Sequence, residues 1–322
     1  MIILLVYCIQ TIESRSLYFV TSNSFLYCLF FLVPTGAGKS TTMKQLSGDV
    51  YPTSGTASLG GLDILEHPQE VRRLLGYCPQ FDALLPLMTG REHLDLFARI
   101  KCVPEDKLEG FVNYMIRKLG LVHLADRPAG TYSGGNKRKL SVGLSLIGNP
   151  AIVFLDEPST GVDPQSRRFM WNLISSTMRH RSVILTTHSM EEAQALSDRI
   201  TIITSGRLRA LGTAQYLKSK YGNGWQVLCK VTEGSQANVV EWFQKTFPGT
   251  VVIESHTINL KLKVPTGQLT LAAIFRVIEA AKHDVGINAY SVSETDLEQI
   301  FINFVQADVQ RNVDARHNAP AA

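Results

Sequence analysis

The stretch Val33-Pro34-Thr35-Gly36-Ala37-Gly38-Lys39-Ser40-Thr41-Thr42 decides how the rest of the chain is read. An apolar run at residues 25–33 leads into it, glycines punctuate the turn, and Lys39-Ser40 opens a segment of helical character. These residue types suit a phosphate-binding loop. Glycine lets backbone N–H groups curl around phosphate oxygens, Lys39 supplies a compact positive charge, and the Ser40 hydroxyl can ligate Mg²⁺. The N-terminus of the helix that follows adds a partial positive charge of its own. One position departs from the pattern G-x-x-x-x-G-K-[ST]: Val33 stands where the first glycine belongs. The run from Gly36 onward is intact, which weighs against a chance turn in an unrelated loop.

Upstream of this loop the sequence is apolar but interrupted. Residues 1–9 and 17–33 are rich in aliphatic and aromatic side chains, yet Thr21-Ser22-Asn23-Ser24 divides the second run. Neither reaches the roughly 18 uninterrupted apolar residues of a membrane-spanning helix. No basic segment precedes the first run, so a signal peptide is poorly supported. Residues 25–33 have the length of a buried strand, whereas residues 1–24 suggest no domain.

Bulk composition bounds the remaining possibilities. A chain of 322 residues, 45% apolar and 19% charged, has material for one large or two unequal globular domains. The net charge of +4 is small and Lys and Arg are dispersed, which argues against a nucleic-acid partner. Five cysteines (Cys8, Cys28, Cys78, Cys102 and Cys229) lack metal-ligand spacing and are odd in number. Free thiols in a reducing, cytosolic environment account for them.

Downstream, the periodicity alternates between strand and helix. Residues 50–66, rich in Gly, Pro and Ser, suit turns and short edge strands; residues 74–82 read as a strand ending in a loop at Gln80. Two helical runs, at residues 89–99 and 108–119, form a helical insertion before Tyr132-Ser133-Gly134-Gly135-Asn136 opens another helix. Ala151-Ile152-Val153-Phe154-Leu155 is a fully apolar strand that ends in Asp156-Glu157. A run without alternation implies burial on both faces, hence a parallel sheet covered by helices. A second apolar strand at residues 183–187 ends in His188. Polar residues at successive strand ends describe an α/β fold with its site along one edge.

After a polar, Gly-containing joint at residues 218–224 the order becomes strand, helix, strand, strand, helix, strand, as in a ferredoxin-like domain. A closing helix at residues 294–306 has Leu297, Ile300, Phe301 and Phe304 on one face, and the polar tail at 307–322 is expected to be disordered. The expected divisions are 1–24 without a domain, 25–218 an α/β P-loop domain, 225–306 a small α+β domain, and 307–322 a tail.

Chemistry concentrates in the first of these domains. Asp156 can orient Mg²⁺, and Glu157 can act as general base on an attacking water. His188 can hydrogen-bond a γ-phosphate, and Gln80 can reach the metal or the water. Ser133-Gly134-Gly135 at a helix start offers another amide nest for an anion. Taken singly, each has a bland reading: a capping carboxylate, a structural histidine, a loop glutamine, an N-cap with flexible glycines. Lys137-Arg138-Lys139 reads as a solvated helix face. It is the order of the pieces that argues for one site.

In that order and spacing the chain resembles the nucleotide-binding domain of an ABC transporter over residues 31–218. Gly36-Ala37-Gly38-Lys39-Ser40-Thr41 is similar to Walker A, Gln80 to the Q-loop, and Ser133-Gly134-Gly135-Asn136 to the signature. Asp156-Glu157 is similar to Walker B and its glutamate, Ser159-Thr160-Gly161-Val162-Asp163 to the D-loop, and His188 to the switch histidine. Gly76-Tyr77-Cys78-Pro79-Gln80-Phe81-Asp82-Ala83, Tyr132-Ser133-Gly134-Gly135-Asn136-Lys137-Arg138-Lys139-Leu140 and Tyr290-Ser291-Val292-Ser293-Glu294-Thr295 narrow the likeness to subfamily A, the lipid-exporter group. The second domain is then similar to that subfamily's regulatory domain.

The resemblance implies ATP and Mg²⁺ as cofactors, with Thr35, Gly36, Ala37, Gly38, Lys39, Ser40, Thr41 and Gln80 on the nucleotide. It places Ser40, Gln80 and Asp156 on the metal, and Glu157 and His188 in catalysis. Ser133, Gly134, Gly135 and Asn136 would face ATP held by a second nucleotide-binding domain. The other implied partners are transmembrane domains, with lipid as the indirect substrate, at the cytoplasmic face of a membrane. The family pattern fails at residues 1–24, where no aromatic residue can be assigned to stacking on adenine. Two other readings remain open on the residues: a truncated or degenerate cassette serving as a non-hydrolysing interaction module, and a soluble ABC ATPase.

Overall fold

The computed structural model describes residues 4–7, 18–21, 28–32, 38–178, 181–222, 224–265 and 271–317. The chain divides into two compact units, Met1–Thr213 and Ala214–Ala322.

The first unit opens with β1 (Leu4–Tyr7) and β2 (Tyr18–Thr21), an antiparallel pair in which Leu4 faces Thr21. β3 (Cys28–Leu32) precedes the glycine-rich loop, and α1 (Lys39–Leu46) follows it. Two short strands, β4 (Ser58–Leu59) and β5 (Leu62–Asp63), make a small hairpin. Then come α2 (Pro68–Leu74), β6 (Leu75–Cys78), α3 (Gly90–Ile100) and α4 (Glu105–Lys118). The start of α3 is fixed by a capping box. Thr89 Oγ1 accepts from the Glu92 N–H at 3.1 Å, and Glu92 Oε2 accepts from the Thr89 N–H at 2.7 Å. The unit continues with α5 (Gly134–Ser145), β7 (Ile152–Asp156), α6 (Pro164–Met178), β8 (Ser182–Thr187), α7 (Met190–Leu196), β9 (Arg199–Thr204) and β10 (Arg207–Gly212).

The main sheet has the order β10-β9-β3-β8-β7-β6. Its strands run parallel except β10, which pairs antiparallel with β9. All residues of β7 and β8 are buried, as their apolar runs predict. Met43 and Leu46 of α1 pack in one core with Phe154 of β7 and Ile184 of β8, so the helix behind the loop is fastened to the sheet centre. Gly76 lets α5 lie against β6, because a Cβ there would run into the Ser145 carbonyl oxygen.

Among the elements that the sequence reading does not anticipate are β10 and α8. β10 forms because Ser205 (φ 49°) and Gly206 (φ 69°) both adopt positive φ, the requirement of a tight primed hairpin turn. Where the sequence suggests a polar joint, α8 (Ala214–Tyr221) forms instead and belongs to the second unit, so the division falls before it rather than after Lys218.

The second unit continues with β11 (Trp225–Val231), α9 (Gln236–Thr246), β12 (Val251–His256), β13 (Asn259–Val264), α10 (Leu271–Val285) and β14 (Ile287–Glu294). Its antiparallel sheet has the order β12-β13-β11-β14. Val227, Leu262, Phe243 and Ile278 join one core between sheet and helices. α11 (Leu297–His317) runs well beyond residue 306, correcting the expectation of a disordered tail from 307. The added turns contain neither Gly nor Pro, and Asp308 and Arg311 are spaced one helical turn apart as an ion pair at 3.9 Å. The Tyr221 and Phe304 rings meet at 5.0 Å, which joins α8 to α11.

Candidate functional site

The neighbouring parallel strands β3, β8, β7 and β6 bring their C-terminal ends to one edge of the sheet. The glycine-rich loop follows β3, His188 follows β8, Asp156-Glu157 ends β7, and Gln80 follows β6. Val33, Pro34, Thr35, Gly36 and Ala37 lie outside the described residues. From Gly38 onward the loop is described: Gly38 has φ 101°, which favours glycine, and it caps α1 without a side-chain hydrogen bond. The first-turn amides of α1 are therefore available to an anion.

Asp156 is 1% exposed and has both carboxylate oxygens engaged. Oδ2 accepts from the Ser40 hydroxyl at 3.1 Å, and Oδ1 accepts from the Thr186 hydroxyl. Glu157, the next residue, adopts φ +49°, a conformation that side-chain-bearing residues rarely take. Its N–H donates to the Thr186 carbonyl oxygen and to Thr186 Oγ1, each at 3.1 Å.

The Glu157 carboxylate is where the site converges. Oε1 lies 2.5 Å from Lys39 Nζ. Oε2 accepts from Thr160 Oγ1 at 3.1 Å and from Gln80 Nε2 at 3.4 Å, and it stands 3.5 Å from His188 Nδ1. Burial would raise this carboxyl's pKa, but the Lys39 ammonium, His188 and the Thr160 hydroxyl together hold it below the ordinary value. Glu157 is thus an ionised carboxylate in a largely dry position, at 6% exposure, facing a cleft.

That cleft, about 410 Å³, is lined by Gly38, Lys39, Ser40, Thr41, Gln80, Glu157 and His188. Every one of these is a residue that the sequence singles out. Ser40 and Asp156 present hard oxygen donors side by side, the donor type that Mg²⁺ takes together with phosphate oxygens and water. Among the described residues no group of three or more His, Cys, Asp or Glu could hold a metal by itself. The donor set fits a nucleotide-borne Mg²⁺ better than a resident metal centre.

Ser133, Gly134, Gly135 and Asn136 do not line the cleft. Ser133 caps α5 by accepting from the Asn136 N–H at 3.4 Å, and Gly135 packs close to Ser166 and Asp163. Arg138 corrects the reading of a solvated helix face: it is 3% exposed, bound to backbone carbonyls on three sides of the site. It falls three and four residues before Ser141 and Val142, both buried, so the helical period alone places it inward. Thr186 is a small polar residue with no sequence signal of its own, and Thr160 is singled out only within the D-loop stretch, without its contact to Glu157.

Two family models match the chain. One describes an ABC transporter and covers residues 28–160; the other describes the ABCA1-like C-terminal R1 regulatory domain and covers residues 222–294. Both matches fall on one chain in that order, and its relatives agree. The chain belongs to the ABC transporters of subfamily A.

This subfamily A chain is 46% identical over 279 residues to ATP-binding cassette sub-family A member 7 of Rattus norvegicus. It is 47% identical over 290 residues to the retinal-specific phospholipid-transporting ATPase ABCA4 of Homo sapiens. These alignments cover 86% and 88% of the chain but about 13% of each relative, so it spans a small part of their length. A solved structure titled as the ATP binding subunit of an ABC transporter matches with TM-score 0.58 at 25% identity, covering 69% of this chain and 92% of that one. Among the described residues no helix is long and apolar enough to cross a membrane.

Proposed function

We propose that the cleft binds ATP with Mg²⁺ and that the chain hydrolyses it to ADP and phosphate, as a cassette powering phospholipid movement by a membrane transporter. The observation that carries the reading is the convergence of Lys39, Gln80, Thr160 and His188 on the one Glu157 carboxylate. Ionised and aimed into the cleft, Glu157 accepts the proton of the attacking water. Lys39 and the amides at the start of α1 hold the phosphates, and Thr35, Gly36 and Ala37 are assigned to the nucleotide on sequence alone. A γ-phosphate offers Lys39 more negative charge than the carboxylate does, so nucleotide entry draws the ammonium from Glu157 and leaves that oxygen to the water. His188, with its side chain 62% exposed, is free to turn toward the γ-phosphate. Ser40 and Asp156, with Gln80, would hold Mg²⁺, whose role is to neutralise charge on the transferred phosphoryl group.

The signature, lying off this cleft, suits a nucleotide held by a second cassette, paired head to tail. Relatives named as phospholipid-transporting ATPases support phospholipid as the cargo, and the reading adds transmembrane domains as partners and a place at the cytoplasmic membrane face. Titration of the chain with ATP tests the binding part. Affinity should rise at least about tenfold on adding Mg²⁺, and Ser40→Ala or Asp156→Asn should abolish the rise. Equal affinity with and without the metal in the parent contradicts the assignment.

A further inference from the structure

The Arg138 guanidinium reaches three carbonyl oxygens of the site at once. Nε–H donates to Pro158 O at 3.1 Å, Nη1 to Pro79 O at 2.6 Å and to Asp82 Oδ1 at 3.2 Å, and Nη2 to Asp156 O at 2.5 Å. Pro79 immediately precedes Gln80, while Asp156 and Pro158 flank Glu157 on either side. One side chain therefore grips the backbone next to both groups that meet at the Glu157 carboxylate, 3.4 Å apart.

Glu157 needs such a grip. Its φ of +49° persists only where the surroundings over-determine it. Thr186 holds its N–H, and Arg138 holds the carbonyls before and after it. Buried carbonyls require partners, and Arg138 supplies them from a helix that is itself pressed against β6 at Gly76. The grip begins in the first turns of α5, behind Ser133-Gly134-Gly135, so the signature end of the helix and the hydrolytic end of the sheet share one rigid tie.

We propose that Arg138 is the positioning residue that holds Gln80 and Glu157 in place for hydrolysis and links both to the signature helix. The proposal rests on the reading of Glu157 as general base. A planar fork with donors in fixed directions can span three carbonyls, whereas an ammonium cannot. Lysine at this place keeps the charge and loses the geometry.

The test uses the full 322-residue chain as parent, Arg138→Lys, Glu157→Gln and the double variant. Single-turnover hydrolysis should fall about 10²-fold in Arg138→Lys, with ATP affinity within about threefold of the parent, because misplacement of a base costs rate rather than binding. On the Glu157→Gln background Arg138→Lys should lower the rate no further, since the two act as one unit. Hydrogen exchange of the Glu157 amide should quicken about tenfold in Arg138→Lys. Asp82→Asn, at a part-exposed position that leaves folding intact, should give the same pattern at about threefold to tenfold in rate.

An equal loss of rate from Arg138→Lys on both backgrounds, or a loss of ATP affinity in step with rate, would overturn the proposal in favour of a purely structural arginine. So would unchanged hydrolysis and exchange in both Arg138→Lys and Asp82→Asn. If Glu157→Gln hydrolyses like the parent, the general-base reading fails, and the exchange result still decides whether Arg138 holds the Glu157 backbone.

Discussion

Replacing Lys39 by methionine keeps the side-chain stem and removes the ammonium that faces Glu157 at 2.5 Å. Both partners are largely buried, with side-chain exposures of 11% and 6%. Taking away one member of a buried ion pair costs about 3–5 kcal/mol, because the remaining charge is left in a dry site. Thr160, Gln80 and His188 still face the carboxylate, so the low end, about 3 kcal/mol, is expected.

The cost depends on pH, and its sign follows from the direction of the shift. In the parent the Glu157 carboxyl lies below its ordinary value of 4.5, so the pair's contribution is full above that value and is lost as pH falls through the folded value. Without the ammonium the strongest influence that lowers the carboxyl is gone, so its value rises relative to the parent's. The carboxyl then contributes less to stability at neutral pH than in the parent, and the difference fades in acid, where Glu157 is protonated in both. Urea unfolding of the first unit, followed by the fluorescence of Trp171, should show the deficit at about pH 7.5 and a progressively smaller one as pH is lowered below 4.5. A deficit that does not shrink in acid, or none at neutral pH, would refute the view of Lys39 and Glu157 as a buried pair.

Thr186→Val removes a buried hydroxyl that donates to Asp156 and accepts from the Glu157 N–H while keeping the side-chain shape. A loss of about 2–3 kcal/mol in urea unfolding is expected, as for a hydrogen bond to a charged group, together with a lower hydrolysis rate. In the second unit Phe243 is fully buried, with its ring centroid 5.0 Å from that of Trp242. Phe243→Ala should cost that unit about 3–5 kcal/mol, measured by the denaturation transition that Trp242 fluorescence reports.

How far the sequence could be read follows from the kind of force at each place. The unbroken apolar runs of β7 and β8 are dictated by burial on both sheet faces, so they announce themselves and carry Asp156, Glu157 and His188 to the edge with them. Lys39, Ser40 and Gln80 were legible because few residue types can do their chemistry at that spacing. β10 was not assigned, although the Ser205-Gly206 turn that makes it is a local signal. α8 is held by tertiary packing, as at Tyr221 against Phe304, which overrides its polar composition, and the far turns of α11 are polar yet free of Gly and Pro. At Arg138 charge points to solvent while helical phase points inward, and its three carbonyl partners come from segments distant in sequence. Thr160 and Thr186 can be placed only once the turn at Glu157 is seen.

On the proposed reading, the carboxylate on which Lys39, Gln80, Thr160 and His188 converge is the base that activates water. Single-turnover hydrolysis of ATP by Glu157→Gln tests it most directly, with nucleotide retention measured in the same samples. The rate should drop about 10²- to 10⁴-fold while ATP remains bound with affinity no weaker than the parent's. Hydrolysis by the variant within a few-fold of the parent would contradict the account.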